Sequence, residues 1–523
     1  MIFKSRLPDL QLPKSDLTTV VLSRATELAE RTALVNGTSG ASLSYAELSD
    51  HINRFASGLQ RRGFAKGDVL ALFCPNVPEY AVAFLGVAAA GGVNTTVNSL
   101  YSSADLVHQF RDSGARFLLT IPAFLDRARP AAEECGIEEI FVLGEAEGAT
   151  PYASLLDNDG RREAVTIDPD SDLVALPYSS GTTGLSKGVM LTHSNLIANM
   201  VLSADVNPID ETDTLIGVLP FFHIYGMVLI LNLAIYRGAR LVTMARFDLP
   251  DFLALVQKYR ATALNLVPPL VLALAKQPIV DDYDLGSVRI IGSGAAPLGQ
   301  ALEKACAERL HCQLYQGYGL TEVAGASHVL AVGDAARKPG AVGPVLRNTR
   351  SKVIDTETGV ELGANANGEI LIAGPHVMAG YLNNPEATAH SIDADGWFHT
   401  GDIGYADDEG YFFIVDRVKE LIKYKAYQVA PAELEALLLS HPAIADAAVI
   451  PSPDEEAGEI PMAFVVLKTP LSAEDILSFV AERVAPHKKI RKLEFVDEIP
   501  KSASGKILRR VLVERERAAV ARA

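Results

Sequence analysis

Between Tyr178 and His193 the chain reads Tyr-Ser-Ser-Gly-Thr-Thr-Gly-Leu-Ser-Lys-Gly-Val-Met-Leu-Thr-His. Glycines let backbone N–H groups approach an anion closely, hydroxyls add donors, and a lysine adds positive charge. The stretch therefore suits phosphate. It is not a Walker A loop, because Ser186 stands where that motif needs its second glycine. An apolar run, Leu173–Pro177, leads in as a strand end, and Ser194 onwards reads as a capped helix.

Other stretches offer partners for a phosphate. Leu219–Met227 crowds aromatics round His223. A histidine among aromatics is as readily a satisfied core residue, but this one follows a strand, at the end where α/β sheets bind ligands. Tyr315-Gln316-Gly317-Tyr318-Gly319-Leu320-Thr321-Glu322 ends in a hydroxyl and a carboxylate. A carboxylate near phosphate suits Mg²⁺, and Tyr318 could stack on a base. Standing alone, the same motif is a glycine turn with a solvated glutamate. In Gly396–Asp402, the carboxylate of Asp402 either caps its own turn or accepts ribose hydroxyls. Pro500-Lys501-Ser502-Ala503-Ser504-Gly505-Lys506 is either a solvated loop or a small-residue arm that inserts Lys506 into a site on another domain.

These residues need elements to hold them. Through residues 15–70, helix and strand signals alternate: Asp16–Glu30 and Thr32–Val35, then a capping box at Ser44–Glu47 that opens a helix to about Arg62. Val69–Phe73 and Glu79–Ala90 continue the alternation. A second α/β run spans Thr214–Gly294 and mirrors the first. Beyond about residue 338 short strands dominate, with Gly343–Arg347 among them, and a small β subdomain is expected. From Asp416 a compact α+β piece begins. The expected fold is thus α/β: a large N-terminal domain, 1–415, of two α/β subdomains plus a small β subdomain, and a mobile C-terminal domain, 416–523.

At 523 residues the chain is too long for one core. The net charge of −17 and the lack of an extended basic patch argue against a nucleic-acid partner. Cys74, Cys135, Cys306 and Cys312 form neither a disulfide frame nor a zinc pattern. Met1–Leu10 lacks an apolar leader core, and apolar runs such as Ala81–Val93 are too short to span a bilayer. A cytoplasmic protein without stable membrane insertion is expected.

Taken together and in this order, the motifs resemble the acyl-adenylate-forming superfamily: acyl-CoA synthetases, 4-coumarate–CoA ligases, beetle luciferases and peptide-synthetase adenylation domains. The resemblance runs from about Leu17 to Arg510. It implies that Ser179, Ser180, Gly181, Thr182, Thr183, Gly184 and Lys187 cradle the β and γ phosphates of ATP. Tyr318 would stack on adenine, with Ala295, Ala296 and Pro297 on the other side and Gln316, Gly317 and Gly319 beside the nucleotide. Thr321 would contact the α-phosphate, Glu322 would bind Mg²⁺, and Asp402 and Arg417 would hold the ribose. His223 would sit between the acyl pocket and the acceptor tunnel. Lys506 would bridge carboxylate and α-phosphate. Asp416 would be the hinge whose turn withdraws Lys506 and brings Lys423, Lys425, Ala426 and Gln428 to the site. Phe221, Phe222, Tyr225, Met227, Val267, Gly292, Gly294 and Val323 would line the acyl pocket, and their apolar character suggests a hydrophobic acid.

The sequence departs from the family in three places. Ser186 replaces a common proline. Gly292 stands where plant 4-coumarate ligases often carry a lysine that meets a ring hydroxyl, which weighs against a phenolic substrate. Ala426 replaces a glycine that packs on the pantetheine arm, which weighs against CoA as acceptor. The resemblance implies ATP, Mg²⁺ and an acid–CoA ligase. An amide-forming ligase, with an amine capturing the adenylate, is the alternative, and a non-catalytic binding protein is disfavoured by Lys506, Glu322 and His223.

Overall fold

The computed structural model describes residues 1–179, 186–331, 338–417, 420–425, 427–454, 456–502 and 505–520. Among the described residues the large domain is built on two eight-stranded sheets. The first centres on Val69–Phe73, flanked by Val93–Thr96 and Ala115–Thr120, all parallel. Those strands are almost wholly buried on both faces, and the central one, Val69–Phe73, reads as an unbroken apolar run. The second places Ile290–Ser293 between Ala263–Leu266 and Gln313–Leu320, again in parallel. Helices Tyr45–Gln60 and Pro78–Ala89 belong to the same hydrophobic core as both sheets. The first of these helices carries the expected capping box, Ser44 with Glu47, a device that contributes about 1 kcal/mol.

Several elements differ from the sequence expectation. Thr32–Asn36 does not join the first sheet; it runs parallel to Arg240–Thr243 at the far side of the second. The helix expected over Asp16–Glu30 stops at Val21. Beyond it the chain turns tightly, with Ser23 N–H bonded to Val20 O and Ala25 N–H to Leu22 O, three residues back and not four. Met227–Arg237 is a π-helix over Tyr225–Asn232 that becomes α-helical at Leu233–Arg237. Gly343–Arg347 makes only isolated bridges, Val345 to His328 and Gly343 to Phe412. The helix after the phosphate stretch begins at His193, and Thr192 caps it instead of a residue further on.

A five-stranded antiparallel sheet, with Gly368–Ala373 at its centre, forms the small β subdomain. The C-terminal domain has its own sheet, built on the long pair Ile444–Asp454 and Gly458–Leu467. Ile422, Leu434, Val449 and Val465 pack in its separate core. A final helix, Arg509–Val520, was not expected from the sequence. No helix of the described residues is long and apolar enough to cross a membrane.

Candidate active site

The phosphate stretch is a β-hairpin. Leu173–Ser179 and Lys187–Thr192 pair antiparallel with Ser179 opposite Lys187, so both ends of the loop are pinned in one register. Ser180, Gly181, Thr182, Thr183 and Gly184 lie outside the described residues. Ser179 Oγ donates to Glu322 Oε1 at 2.9 Å, and the Tyr381 hydroxyl donates to the same oxygen at 3.0 Å. Lys187 Nζ stands 4.3 Å from the centre of the Tyr381 ring. Tyr381 therefore joins the lysine and the carboxylate, and sequence reading missed it. Its only signal was a Gly-Tyr pair after a turn, which alone says nothing of chemistry.

Glu322 sits in a one-turn 3₁₀ helix, Thr321–Val323, directly after the strand Gln313–Leu320. That turn approaches the next strand so closely that a Cβ on Gly319 would lie 1.8 Å from Gly325 O. Only glycine fits there. Three residues earlier, the Gln316 side chain donates to Glu303 and to Leu298 O and accepts from Leu298 N–H. It thereby fixes the Gly294–Leu298 turn, in which Ala295 takes the left-handed φ of 72°. Ala296 is half-buried and Pro297 exposed at the rim of this turn.

Asp402 and Arg417 face each other across adjacent strands. Asp402 Oδ2 accepts from the Tyr318 hydroxyl at 2.6 Å, and Oδ1 lies 3.0 Å from Arg417 Nε. Burial pushes the Asp402 carboxyl upward against the opposing pull of Arg417, and Asp402 in turn tightens the proton on Arg417. The neighbouring Asp416 accepts from the N–H groups of Arg417 and Ala432, so it ties the end of the large domain to the first helix of the small one.

His223 is placed by its own turn. Asn76, after the central strand of the first sheet, donates to Gly217 O and Leu219 O and accepts from Phe221 N–H. Thr96 Oγ1 donates to Phe222 O. The first sheet thus holds a turn of the second. Burial, with Lys506 adding to it, lowers the His223 pKa to about 3, so the imidazole is neutral.

Lys506 comes from the other domain. Its loop is closed by Ser502, which bonds Gly505 and Lys506 through backbone and hydroxyl. Gly505, at φ 77°, rests on Val267 and Pro269 of the large domain. Val267 therefore serves as a seat for this loop and is not part of the cavity lining. Lys506 keeps solvent contact at the cleft mouth. Surrounding protein and the nearby Arg417 nonetheless lower its pKa.

One cavity of about 80 Å³ takes in His223, Gly317–Thr321 and Lys506 at one end. It also takes in Tyr225, Gly292, Gly294 and Ala295. Phe221, Met227 and Val323, expected in its wall, are instead wholly buried in the core, Phe221 edge-on to Tyr80. Phe222 is half-buried beside the cavity without lining it. Adjacency to His223 or to Glu322 in sequence suggested these residues; the chain direction turns them away. Leu229, from the same segment, and residues remote in sequence take their place: Ser203, Asn207, Asn265 and Tyr315. Lys423 and Lys425 lie outside the cavity, on an exposed hairpin where Lys425 pairs with Glu456. Ala426 and the side chain of Gln428 lie outside the described residues.

Lys506 thus meets Tyr318 and Thr321 at one cavity, while Tyr318 bonds the Asp402–Arg417 pair and Glu322, next to Thr321, bonds Ser179 of the hairpin. The family model of AMP-binding enzymes matches residues 22–382, and that of the AMP-binding enzyme C-terminal domain matches residues 433–506. Over 526 residues the chain is 44% identical to 4-coumarate–CoA ligase 1 of Petroselinum crispum, covering 98% of this chain and 96% of the relative. Among solved structures, the anthranilate CoA ligase AuaEII in complex with anthranoyl-AMP superposes with a TM-score of 0.92 at 27% identity, covering 98% of this chain and 99% of that one. ATP-bound MatB from Rhodopseudomonas palustris superposes with a TM-score of 0.87 at 30% identity, covering 96% of this chain and 99% of that one. The chain belongs to the AMP-binding enzyme family.

Proposed function

We infer that this enzyme is an ATP-dependent carboxylic acid–CoA ligase. An oxygen of the acid attacks the α-phosphorus of ATP, and pyrophosphate leaves with the electron pair of the broken P–O bond. The CoA thiol then attacks the acyl carbonyl, AMP leaves, and the thiol proton passes to solvent. The single observation that carries this reading is Lys506, brought by the small domain to the cavity mouth beside His223 and Thr321. Joining two anions requires cations where negative charge gathers.

We assign Lys506 to bridging the carboxylate and α-phosphate, and Thr321 to the α-phosphate. The phosphate hairpin holds the departing pyrophosphate, Tyr318 the adenine, and Asp402 with Arg417 the ribose. The ribose assignment requires ATP to displace the Tyr318 hydroxyl from Asp402. Glu322, oriented by Ser179 and Tyr381, fits Mg²⁺, which takes one carboxylate and otherwise phosphate oxygens and water. When bound, Mg²⁺ neutralises the polyphosphate charge. Asp416 is the hinge at which the domains, divided near 415/416, turn between steps. That turn withdraws Lys506 and presents Lys423, Lys425 and Gln428. A neutral His223 is suited to receive a proton or to gate the thiol path.

The amide-forming alternative, motivated by Ala426, is not favoured: relatives 44% to 45% identical over nearly the whole chain are 4-coumarate–CoA ligases. Apolar walls at Ile224, Leu229 and Val329 support a hydrophobic acid. ATP, CoA and four free thiols fit a cytoplasmic setting.

The test is to follow pyrophosphate with ATP, Mg²⁺ and a panel of acids, then to add CoA or amino acids and identify products by mass spectrometry. Acid-dependent pyrophosphate and an acyl-CoA are expected. No pyrophosphate with any acid would overturn the ligase reading, and amide without thioester would overturn CoA as acceptor. Lys506→Ala should cut pyrophosphate release about a hundredfold or more, as for the loss of a cation at the transition state, while sparing thioester formation from preformed adenylate. Equal loss in both steps would refute that division.

A further inference from the structure

One helix of the large domain, Pro268–Lys276, meets the small domain at both of its ends. At the first end Val267 and Pro269 seat Gly505. At the other, Lys276 Nζ donates to Leu439 O at 3.2 Å, in the last turn of the small-domain helix Pro431–Ser440. On that same small-domain helix, Ala436 lies beside Gly299 of the large domain.

The last carbonyls of a helix lack partners within it. Here the small domain serves two of them itself: Ser440 Oγ donates to Leu437 O, and His441 N–H to Leu438 O. Leu439 O instead receives an ammonium from the other domain. A cation suits this end of a helix, where the dipole is negative. Burial and the nearby Lys468 lower the Lys276 pKa, so the contact forms against a loss of water and a like charge. It is a weak clasp and not a permanent one.

The start of the same small-domain helix is tied at Asp416, which accepts from Ala432 N–H at 3.0 Å. Leu439 lies about 10 Å further along the helix axis at the usual rise per residue. The two attachments therefore differ in leverage. One sits at the pivot, and the other sits far out on the arm.

We propose that Lys276 is a positioning residue, which clasps the end of helix Pro431–Ser440 and so holds the small domain where Lys506 engages the cavity. This rests on the ligase reading above, with its turn at Asp416. A turn that carries Lys506 away leaves Ala432 near the pivot and carries Leu439 off Lys276. The clasp therefore stabilises the arrangement for the first half-reaction and is absent from that for the second. Lys276 touches neither substrate nor Lys506; it sets the balance between the two arrangements.

The test compares the two half-reactions in three variants. Lys276→Met keeps the stem and removes the ammonium, Lys276→Arg keeps the charge, and Lys276→Glu sets an anion against the carbonyl end of the helix. Single-turnover pyrophosphate release is measured with ATP, Mg²⁺ and whichever of 3-phenylpropenoic, benzoic and octanoic acid the unaltered enzyme uses fastest. Thioester formation is measured separately, from the purified adenylate of that acid and CoA. The ratio of the first rate to the second should fall about three- to tenfold in Lys276→Met, as for the loss of a hydrogen bond of ordinary net strength. It should fall further in Lys276→Glu and recover in Lys276→Arg. Taken within one protein, the ratio is insensitive to any loss of folded enzyme. A ratio unchanged in Lys276→Met and Lys276→Glu, an equal loss in both half-reactions, or no recovery in Lys276→Arg would overturn this proposal and leave the ligase reading standing. No pyrophosphate from any acid would overturn both.

Discussion

Tyr381 touches the Glu322 carboxylate on one side and Lys187 on the other. Tyr381→Phe removes one of the donors that orient Glu322. A hydrogen bond to an ionised group is worth about 1.5–3 kcal/mol, so the Mg²⁺ concentration for half-maximal pyrophosphate release should rise about tenfold. An unchanged Mg²⁺ dependence would remove Tyr381 from the site. The protein packed around Lys506 and the nearby Arg417 hold its ammonium below the usual lysine value of 10.5, although the side chain reaches solvent. Its ammonium form is the one that bridges two anions, so adenylation should fall as pH rises through that lowered pKa. Lys506→Arg, which cannot be deprotonated in this range, should abolish that alkaline limb whatever its effect on rate. His223, at about 3, contributes no break near neutrality to the first step.

Strands and turns decide which of these residues meet. The phosphate and Glu322 motifs were legible in the sequence because their residue types are concentrated over a few positions. The acyl pocket was not. Its far wall comes from the C-terminal cap of one helix, Asn207, and from neighbouring strands, Asn265 and Tyr315, which sequence proximity does not join. Likewise, alternation of helix and strand signals placed Thr32–Asn36 in an α/β sheet but not in which one, because parallel pairing is a long-range choice. At this scale Gly292→Ala is informative. Its methyl would press on Tyr315 and Asn265 at under 3.0 Å, an overpacking that costs about 1–3 kcal/mol. A fall in melting temperature that is relieved by Tyr315→Phe, which removes the blocking hydroxyl, would identify the clash; a fall untouched by it would not.

Across the whole molecule, burial holds several histidines neutral. His193 and His376 are lowered to about 4, and His223 and His328 to about 3. The unfolded chain binds protons at these rings from about pH 6.5 downward, while the folded one does not. Their contribution to stability is full above about pH 6.5 and is lost as pH falls toward 4. Glu435, raised to about 7 by burial, works in the opposite direction, as do Glu303, Asp402 and Asp416, which burial also raises. The histidine contribution should therefore appear as a melting temperature that holds up better at pH 5, relative to about pH 7.5, once a buried histidine is removed. His376, with both ring nitrogens unbonded among the described residues, offers the cleanest control. His376→Phe should show that relative gain at pH 5, and an unchanged pH dependence would count against this account.

The seat of Gly505 on Val267 and Pro269 has a consequence for timing. The lysine two-domain contact is made with almost no side chain at its centre, and a methyl there would stand 3.1 Å from Val267 at a backbone angle suited to glycine. Such a methyl would act as a wedge. It would leave Lys506 chemically intact but shorten each interval during which the lysine is engaged, so that a few tenths of an ångström between two domains would be read out as a lower frequency of the first step and not as a weaker one.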